Sequence, residues 1–591
     1  MKHIIPTLLF LCLLASGILA ADLPLVPYPH KVEVKSGTVE LTKTSSIAVD
    51  QNDWKPLAEL FAEEIRMIHG LTLSIADGAG KKGDIVLQFD DKLAEDEYKI
   101  VVGDKAVVNA SSYVAAGYGT VTLLQSMQTT NAGKVSVPKM TVEDRPDFEF
   151  RGLLVDTARK PHSIDSLKQI VRLCRFYKIR FLHLHLTDGP LWMFPSEAYP
   201  LLGTTNNGKT PPYTLDELRD LVAFSEQNGV TIIPEYEIPG HSGTSNRSYT
   251  DLFKIRGTVP YEHHASINFV REDVMKAVTT IIGEMCDVFA PTPYFHVGGD
   301  EADLAFAMQN EDFKKAAEET GLKNQYELYC RLLGQLNDIV KANSKKMLVW
   351  EGFHRNNNPP VPKDIVVFVY ENRFYLPNHL AEDGYTIVNA SWVPLYVVNN
   401  TRRSPDEIYA WNVRQFKAHG SKPEATGIVL KDNTNLWGAH MCAWEQQEKL
   451  EIPSLRFRLP AMSERIWFDE AGRTFDDFQS RVLWTDALLD RLIHRMDVSV
   501  TNLARPTLSQ FDDSVTVSAK TGEGVIRYAL DMKIPTAESP VFDRPMTLDA
   551  STDLTLQVFD AENHPIGYPR WIRYERSTGI TDPSRPVREQ R

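Results

Sequence analysis

The chain has 591 residues, which is too long for one hydrophobic core, so we expect about two to four domains. Its formal net charge is −14, and a surface of that sign argues against a nucleic-acid partner and suits a neutral substrate.

Residues 1–20 have the pattern of a secretory signal peptide, with Lys2 before an apolar run and small residues before Ala21. We therefore predict an exported protein, periplasmic or extracellular, without membrane insertion. The oligomeric state stays open.

Four cysteines would remain after removal of the signal: Cys174, Cys286, Cys330 and Cys442. They have neither CxxC spacing nor the density of a disulfide scaffold. We predict that they are core thiols, although the sequence leaves one disulfide open.

Residues 22–145 mix strand-like and helix-like patterns, which predicts an α+β domain. Helical periodicity covers Trp54–His69, which ends at Gly70, and a second helix is predicted for Ser112–Met127. Pro138–Pro146 has the composition of a linker. The predicted strands of this domain are Val32–Leu41, Ser46–Val49, Asp84–Phe89 and Tyr98–Val102.

Residues 146–498 are predicted to form the central domain, because strands and helices alternate from Phe150 to about Phe468. Eight such units fit a (β/α)8 TIM barrel, in which functional residues lie where the strands end. The predicted helices include Ser163–Tyr177, Thr214–Asn228, Arg271–Phe289 and Asn324–Ala342, with Phe475–Met496 trailing. The predicted strands are Phe150–Thr157, Phe181–Thr187, Thr231–Glu237, Tyr294–Val297, Met347–Trp350, Ile365–Tyr370, Thr386–Asn389 and Leu436–Ala443.

Polar and aromatic residues follow these predicted strands, at the edge where a barrel carries its function. They are Asp156, Arg159, Asp188, Glu235, Glu237, His241, Asp300, Glu301, Trp350, Glu351, Tyr370, Glu371, Trp392, Trp444 and Glu445.

Residues 510–591 become rich in strands and turns, which predicts a small C-terminal β-sandwich. The tail after Ser577 is polar and contains proline. The predicted strands are Val515–Ser518, Val525–Leu530, Met546–Leu548 and Leu554–Phe559.

The segment 294–301, with sequence YFHVGGDE, is the most informative part of the chain. An apolar strand opens into two glycines, which permit a tight turn that presents Asp300 and Glu301 side by side. Two adjacent carboxylates repel each other, so we expect at least one raised pKa. A general acid beside a charge-stabilising carboxylate would use such a pair.

The barrel motifs resemble those of family 20 glycoside hydrolases, the β-N-acetylhexosaminidases. The resemblance rests on HVGGDE at 296–301, together with FRGLLVDTAR at 150–159, HLHLTD at 183–188 and PEYEIPGH at 234–241. Segments in the N-terminal domain (98–125) and near the C-terminus (526–531 and 539–542) also resemble domains of this family.

The resemblance implies exo-hydrolysis of terminal β-linked N-acetylglucosamine or N-acetylgalactosamine from glycans, with retention and without a cofactor or metal. In that chemistry the substrate's own acetamido oxygen attacks the anomeric carbon. Asp300 would hold the acetamido N–H and stabilise its developing positive charge. Glu301 would act first as general acid and then as the base that activates water.

The resemblance also implies a sugar-binding set. Arg159 would bind ring hydroxyls, Asp188 and His241 would support the acid pair, and Tyr396 would hydrogen-bond the acetamido oxygen. Trp350, Trp392 and Trp444 would enclose the N-acetyl group and the sugar face. Glu445 would take the place of a family glutamate that contacts the outer hydroxyls. The chain departs from the family pattern at Gly189, Tyr370-Glu371, Val398 and Gln446.

Two other functions remain as alternatives. A metal-dependent barrel hydrolase could use His183, His185, His241 and His296 with nearby acids, since HxH at a strand end is a known ligand spacing. A non-catalytic sugar-binding protein would keep the aromatic walls without turnover.

Overall fold

The computed structural model describes residues 23–581, apart from 131–132, 205, 207, 257–265, 399–401, 419–426, 433, 470–471, 502–514, 549–550 and 576–578. The signal predicted at 1–20 and most of the tail predicted after Ser577 lie outside the described residues. Within the described ranges, no helix has both the length and the apolar character needed to cross a bilayer.

The N-terminal domain is a mixed sheet covered by the helices Lys55–His69 and Tyr113–Ser126. The first helix ends at Gly70, as its sequence predicted, and Gly70 adopts the left-handed conformation with φ 70°. Among the described residues the strands in spatial order are Lys31–Leu41, Val135–Asp144, Tyr98–Val102, Ala106–Ala110, Ile85–Phe89, Ser46–Val49 and Ser74–Asp77, and Gln128–Thr129 pairs with the second of these.

The prediction of a linker at Pro138–Pro146 is wrong, because most of this segment belongs to the strand Val135–Asp144. Val137, Met140 and Val142 are fully buried in the core, and the alternation of buried and partly exposed residues is interrupted only at the register shift beside Pro138. Pro138 lies opposite Thr38, next to a register shift, where a missing backbone N–H is tolerated.

The central domain is a closed barrel of eight parallel strands within the described residues, which confirms the predicted fold class. The last strand pairs with both the first and the seventh strand, so the sheet has no free edge. In chain order, barrel strands 1–8 are Phe150–Asp156, Phe181–His185, Thr231–Glu235, Tyr294–His296, Lys346–Trp350, Val366–Val369, Thr386–Asn389 and Leu436–Trp444. A short extra strand, Tyr396–Val398, pairs with the end of strand 8.

Helices surround the barrel, and their apolar faces cover it. The loop 351–365 between strands 5 and 6 is fully described and contains no helix. The described helices of this part of the chain are Ile164–Phe176, Leu215–Gln227, Gly243–Ser248, Thr250–Phe253, Glu272–Val288, Glu311–Thr320, Gln325–Ala342, Pro377–Glu382, Trp392–Leu395, Pro405–Tyr409, Glu448–Leu455, Arg458–Trp467 and Phe475–Leu489, with a 3-10 turn at Ala307–Gln309. A second 3-10 turn, Asn52–Trp54, belongs to the N-terminal domain.

The last helix ends earlier than predicted, and its continuation Asp490–His494 is a π turn. The four predicted core thiols are buried and free, so the disulfide left open by the sequence is not formed.

The C-terminal domain has two sheets over one apolar core, as predicted, but it begins at Asp497 and not at about residue 510, because Asp497–Thr501 pairs with Val515–Lys520. A buried ion cluster joins this domain to the barrel, because Asp490 lies 2.6 Å from Arg456 and 2.9 Å from Arg570. In the described residues the first sheet holds Asp497–Thr501, Val515–Lys520 and Met546–Leu548, and the second holds Val525–Leu530, Thr552–Phe559, Pro565–Glu575 and Gly579–Thr581.

Candidate active site

The acid pair sits on a tight turn directly after barrel strand 4. Gly298 and Gly299 have φ angles of 69° and 101°, and Glu301 has a φ of 46°. A Cβ atom on Gly298 would lie 1.9 Å from the Glu237 carboxyl, so only glycine fits there. The turn therefore presents both carboxyl groups at the strand's C-terminal end, with the Glu301 side chain 48% exposed.

The pKa of Asp300 is raised to about 6, as the sequence led us to expect for one member of the pair. Burial is the main cause, and the charges of Glu301 and Glu235 add to it, whereas the charge of His241 opposes the rise. Asp300 is therefore mostly ionised at neutral pH and can accept a hydrogen bond from an N–H group.

A row of charged side chains links Glu301 to Arg159. His241 Nε2 lies 3.3 Å from Glu301 Oε2, and its Nδ1 lies 3.4 Å from Asp188 Oδ2. Burial opposes protonation of His241, but its bonds to Asp188 and Glu301 raise the pKa to about 10. Arg159 Nη2 contacts Asp188 Oδ2 at 2.8 Å, and its charge holds the pKa of Asp188 well below the usual range despite burial.

Arg159 also connects the first and last barrel strands. Its Nη1 lies 3.2 Å from Asp156 Oδ2, and its guanidinium lies 4.9 Å from the centroid of the Trp444 ring. The backbone N–H of Glu445 donates to Asp156 Oδ2 at 3.2 Å, while Glu445 adopts a φ of 56° and exposes its side chain. Glu445 is thus held at the rim, close to Arg159.

Four predicted aromatic residues form a continuous wall beside the acid pair. The ring centroids of Trp392 and Tyr396 are 4.6 Å apart, those of Tyr396 and Trp444 are 6.3 Å apart, and those of Trp444 and Trp350 are 6.1 Å apart. Tyr370 extends this wall, with its ring nearly parallel to that of Tyr396. Burial raises the pKa of Tyr396, and the negative charge of Asp300 adds to the rise, which places Asp300 near the wall.

Glu235 is a buried carboxylate in contact with several ring nitrogens, and no role was predicted for it from the sequence. Trp350 Nε1 donates to its Oε1 at 2.7 Å, and His185 Nδ1 is bonded to its Oε2. His296 Nδ1 and His183 Nε2 lie 3.1 and 3.3 Å from the same carboxylate. Although Glu235 is buried, these imidazoles hold its pKa well below the usual range.

One group of described residues has the spacing of a metal site. Candidate ligand atoms of His183, Glu235 and His296 all lie within 4.8 Å of one another. Both Glu235 oxygens already have ring N–H partners, in Trp350 and His185, so a cation would compete with an existing network.

The structure brings together every sequence-predicted site residue: the acid pair, Arg159, Asp188, His241, the aromatic wall and Glu445. The sequence missed the roles of Glu235 and Glu237 behind the acid pair. Their i, i+2 spacing at the end of a buried strand could have indicated such roles, because residues with this spacing direct their side chains to the same face.

Comparison with protein families gives two matches that together span most of the chain. The model described as "Glycosyl hydrolase family 20, catalytic domain" matches residues 148–470. The model described as "Glycosyl hydrolase family 20, domain 2" matches residues 22–145.

Curated relatives and solved structures are similar over most of the chain. A "Beta-hexosaminidase" of Porphyromonas gingivalis is 24% identical over 575 residues, covering 88% of this chain and 71% of the relative. A "Beta-N-acetylhexosaminidase" of Cellulomonas fimi is 25% identical over 500 residues, covering 81% and 96%. The crystal structure of a Vibrio harveyi exo β-N-acetylglucosaminidase with N-acetylglucosamine has a TM-score of 0.69 at 24% identity, covering 80% of this chain and 77% of that one.

Proposed function

Since the chain belongs to glycosyl hydrolase family 20, we propose that it is an exo-acting β-N-acetylhexosaminidase that works by substrate assistance. It would remove terminal β-linked N-acetylglucosamine or N-acetylgalactosamine from glycans with retention of configuration. The names of similar proteins, such as the β-hexosaminidase of Porphyromonas gingivalis, support this substrate class.

One observation carries the mechanism: Asp300 and Glu301 are neighbours on a single turn. Two-carboxylate retaining glycosidases place their acids on opposite sides of the bond, about 5 Å apart. Neighbouring carboxyls on one turn suit a division of labour, in which one contacts the substrate's acetamide and the other contacts the leaving group.

The first step forms a ring on the substrate. The acetamido oxygen attacks the anomeric carbon, while Glu301 gives its proton to the departing glycosidic oxygen. Asp300 accepts a hydrogen bond from the acetamido N–H and stabilises the positive charge that develops there. Holding the acetamide beside the anomeric carbon supplies the proximity advantage, which reaches effective molarities of about 10⁵ M or more.

The second step restores the enzyme. Glu301, now ionised, removes a proton from water, and the water oxygen attacks the anomeric carbon and opens the oxazolinium ring. Two successive inversions give net retention. The partial exposure of Glu301 supports this role, because both the leaving group and the water must reach it.

The aromatic wall suits an N-acetylated pyranose. Trp350, Trp392 and Trp444 provide large planar surfaces, and Tyr396 is the predicted donor to the acetamido oxygen. Arg159 and the rim residue Glu445 are the groups proposed to bind ring hydroxyls.

A panel of aryl β-glycosides tests this function. We expect hydrolysis of the 2-acetamido sugars, retained configuration of the first product by NMR, and tight inhibition by a thiazoline mimic of the cyclised intermediate. Hydrolysis of plain β-glucosides at the same rate as their 2-acetamido counterparts would contradict substrate assistance.

A metal-dependent hydrolase is the second candidate, because His183, Glu235 and His296 have the spacing of ligands. Activity that is lost on dialysis against a chelator and restored by Zn²⁺ would favour it. Activity unchanged by the chelator would leave the substrate-assisted mechanism in place.

We also propose export to the periplasm or the extracellular space, supported by the signal-like residues 1–20. N-terminal sequencing of the protein from its host should begin near Ala21. Retention of Met1 in the cytoplasmic fraction would contradict export.

A further inference from the structure

The phenol of Tyr370 is a buried part of the aromatic wall. Tyr370 follows barrel strand 6 directly and is 3% exposed. Its ring centroid lies 6.0 Å from that of Trp350 and 6.3 Å from that of Tyr396, and its plane is within 7° of the Tyr396 plane. Its hydroxyl oxygen is buried and forms no hydrogen bond with any of the described residues. A buried hydroxyl group left unpaired is unfavourable, which indicates that its partner is a bound molecule.

Hydrogen bonds on both sides of Tyr370 hold its backbone in place. Its carbonyl oxygen accepts a hydrogen bond from the N–H of Trp392 at 2.9 Å. The fully buried carboxyl group of Glu351 accepts from the N–H of Glu371 at 2.8 Å and from that of Arg373 at 3.3 Å. These bonds and the neighbouring rings fix where the phenol hydroxyl lies.

The neighbours of Tyr370 place it at the end of the pocket that is proposed to hold the acetamide. Tyr396, whose ring is parallel to it, is the proposed donor to the acetamido oxygen. On the other side, the N–H of Trp350 donates to the carbonyl oxygen of Gly298 in the acid turn at 2.8 Å. Burial raises the pKa of Tyr370, and the charge of Asp300 makes the next largest contribution to the rise. Tyr370 therefore lies beside the two groups proposed to bind the acetamide.

The chemistry of the N-acyl chain decides what this hydroxyl group can bind. Under the proposed function, the amide N–H of the substrate meets Asp300, and the amide oxygen meets Tyr396 and the anomeric carbon. The rest of an acetyl group is a methyl group, which cannot form a hydrogen bond with Tyr370. A glycolyl group, –CO–CH2OH, ends instead in a hydroxyl, which both donates to and accepts from a phenol.

We propose that Tyr370 is a specificity-determining residue whose hydroxyl group binds the end of the N-acyl chain, so that the enzyme hydrolyses β-linked N-glycolylhexosaminides as well as N-acetylhexosaminides. The inference rests on the proposed function and names a further substrate class for the same site. The reaction itself is unchanged, because the acyl carbonyl oxygen still attacks the anomeric carbon and the amide N–H still meets Asp300.

Tyr370→Phe removes the hydroxyl group with the least change in shape. The measurement is kcat/KM for two aryl β-glucosaminides that differ only in their N-acyl group, glycolyl or acetyl. We expect the glycolyl-to-acetyl ratio to fall about 5- to 10-fold in Tyr370→Phe, the effect of losing one hydrogen bond between neutral groups. The intrinsic reactivities of the two sugars are the same for both enzymes and cancel when the ratios are compared. An unchanged ratio would overturn the inference.

Tyr396→Phe is the matched control. It removes a hydroxyl group from the parallel ring, but this group is proposed to bind the carbonyl oxygen that both acyl groups share. We expect the rates for the two sugars to fall by the same factor, so the ratio should stay that of the wild type. A ratio that falls as much in Tyr396→Phe as in Tyr370→Phe would contradict the assignment of the selectivity to Tyr370.

The stability of the unliganded enzyme gives a readout that does not depend on turnover. Removing a hydroxyl group that is bonded within the protein lowers resistance to urea, whereas removing one that lacks a protein partner does not. Tyr98→Phe is the control, because the buried Tyr98 hydroxyl contacts Thr122 Oγ1 at 2.7 Å and donates to Asp144. We expect a lower urea midpoint for Tyr98→Phe alone. An equal loss in Tyr370→Phe would show that its hydroxyl already has a protein partner, against the inference.

The wild-type rates distinguish failure of this inference from failure of the proposed function. Hydrolysis of the N-acetyl sugar without hydrolysis of the N-glycolyl sugar would overturn the inference alone. Failure to hydrolyse either sugar would contradict the proposed function. In that case, the affinity for a thiazoline with a hydroxymethyl group in place of its methyl group measures the same contact by binding, and equal affinity of wild type and Tyr370→Phe would overturn the inference as well.

Discussion

Replacing Arg159 by methionine removes the cation from two buried carboxylates at once. In the wild type, Arg159 contacts Asp156 at 3.2 Å and Asp188 at 2.8 Å, and both acids are almost fully buried. Removing one partner of a buried ion pair costs about 3–5 kcal/mol. The Arg159 side chain is 21% exposed, and His185 and His241 still flank Asp188 in the variant. We therefore expect the free energy of unfolding to fall by about 3 kcal/mol, at the lower end of that range.

The pH dependence of this loss has a definite sign. Arg159 lowers the pKa of Asp188 in the folded state, so its contribution to stability is complete above the unfolded pKa of about 3.9 and is lost as pH falls below it. The stability gap between wild type and Arg159→Met should therefore be constant from pH 7 to about pH 5 and should narrow below about pH 4.

Urea unfolding followed by tryptophan fluorescence measures this gap at each pH. Arg219→Met is the matched control, because Arg219 and its partner Asp216 are exposed, and an exposed pair contributes at most about 1 kcal/mol. A gap for Arg159→Met below about 1 kcal/mol at pH 7, or one that widens as pH falls, would refute the conclusion that Arg159 stabilises these two buried carboxylates.

Three further changes test the acid turn. Glu301→Gln should lower kcat/KM for an aryl β-N-acetylglucosaminide by about 10²- to 10⁴-fold, and a normal rate would contradict its role as general acid. Asp300→Asn should lower kcat about 10²- to 10³-fold and weaken binding of the thiazoline mimic; unchanged affinity for the mimic would argue against its contact with the acetamide. Gly298→Ala should abolish activity and destabilise the fold more than Gly321→Ala, since both glycines have φ near 70° but only Gly298 would clash, with Glu237. Equal losses of stability in the two alanine variants, measured by urea unfolding, would show that the clash is relieved elsewhere.

Local patterns in the sequence were enough to predict the barrel and its acid pair. Strands and helices alternate along the chain, and the HVGGDE motif begins at the last residue of a buried strand, so Asp300 and Glu301 could be placed from neighbouring residues alone. The local pattern gave a wrong prediction of a linker at Pro138. A proline beside a register shift looks like part of a linker in the sequence, although it lies within a strand.

Contacts between distant strands were decided only by the tertiary structure. Glu235 gathers His183 from strand 2, His296 from strand 4 and Trp350 from strand 5, and no local pattern specifies that meeting. The same holds for Glu237 and Gly299, which are far apart in sequence and form a hydrogen bond because the barrel sets the register of strands 3 and 4. Residue identity supplied the chemical groups, whereas closure of the sheet fixed which carboxyl faces which partner and therefore the direction in which each pKa shifts.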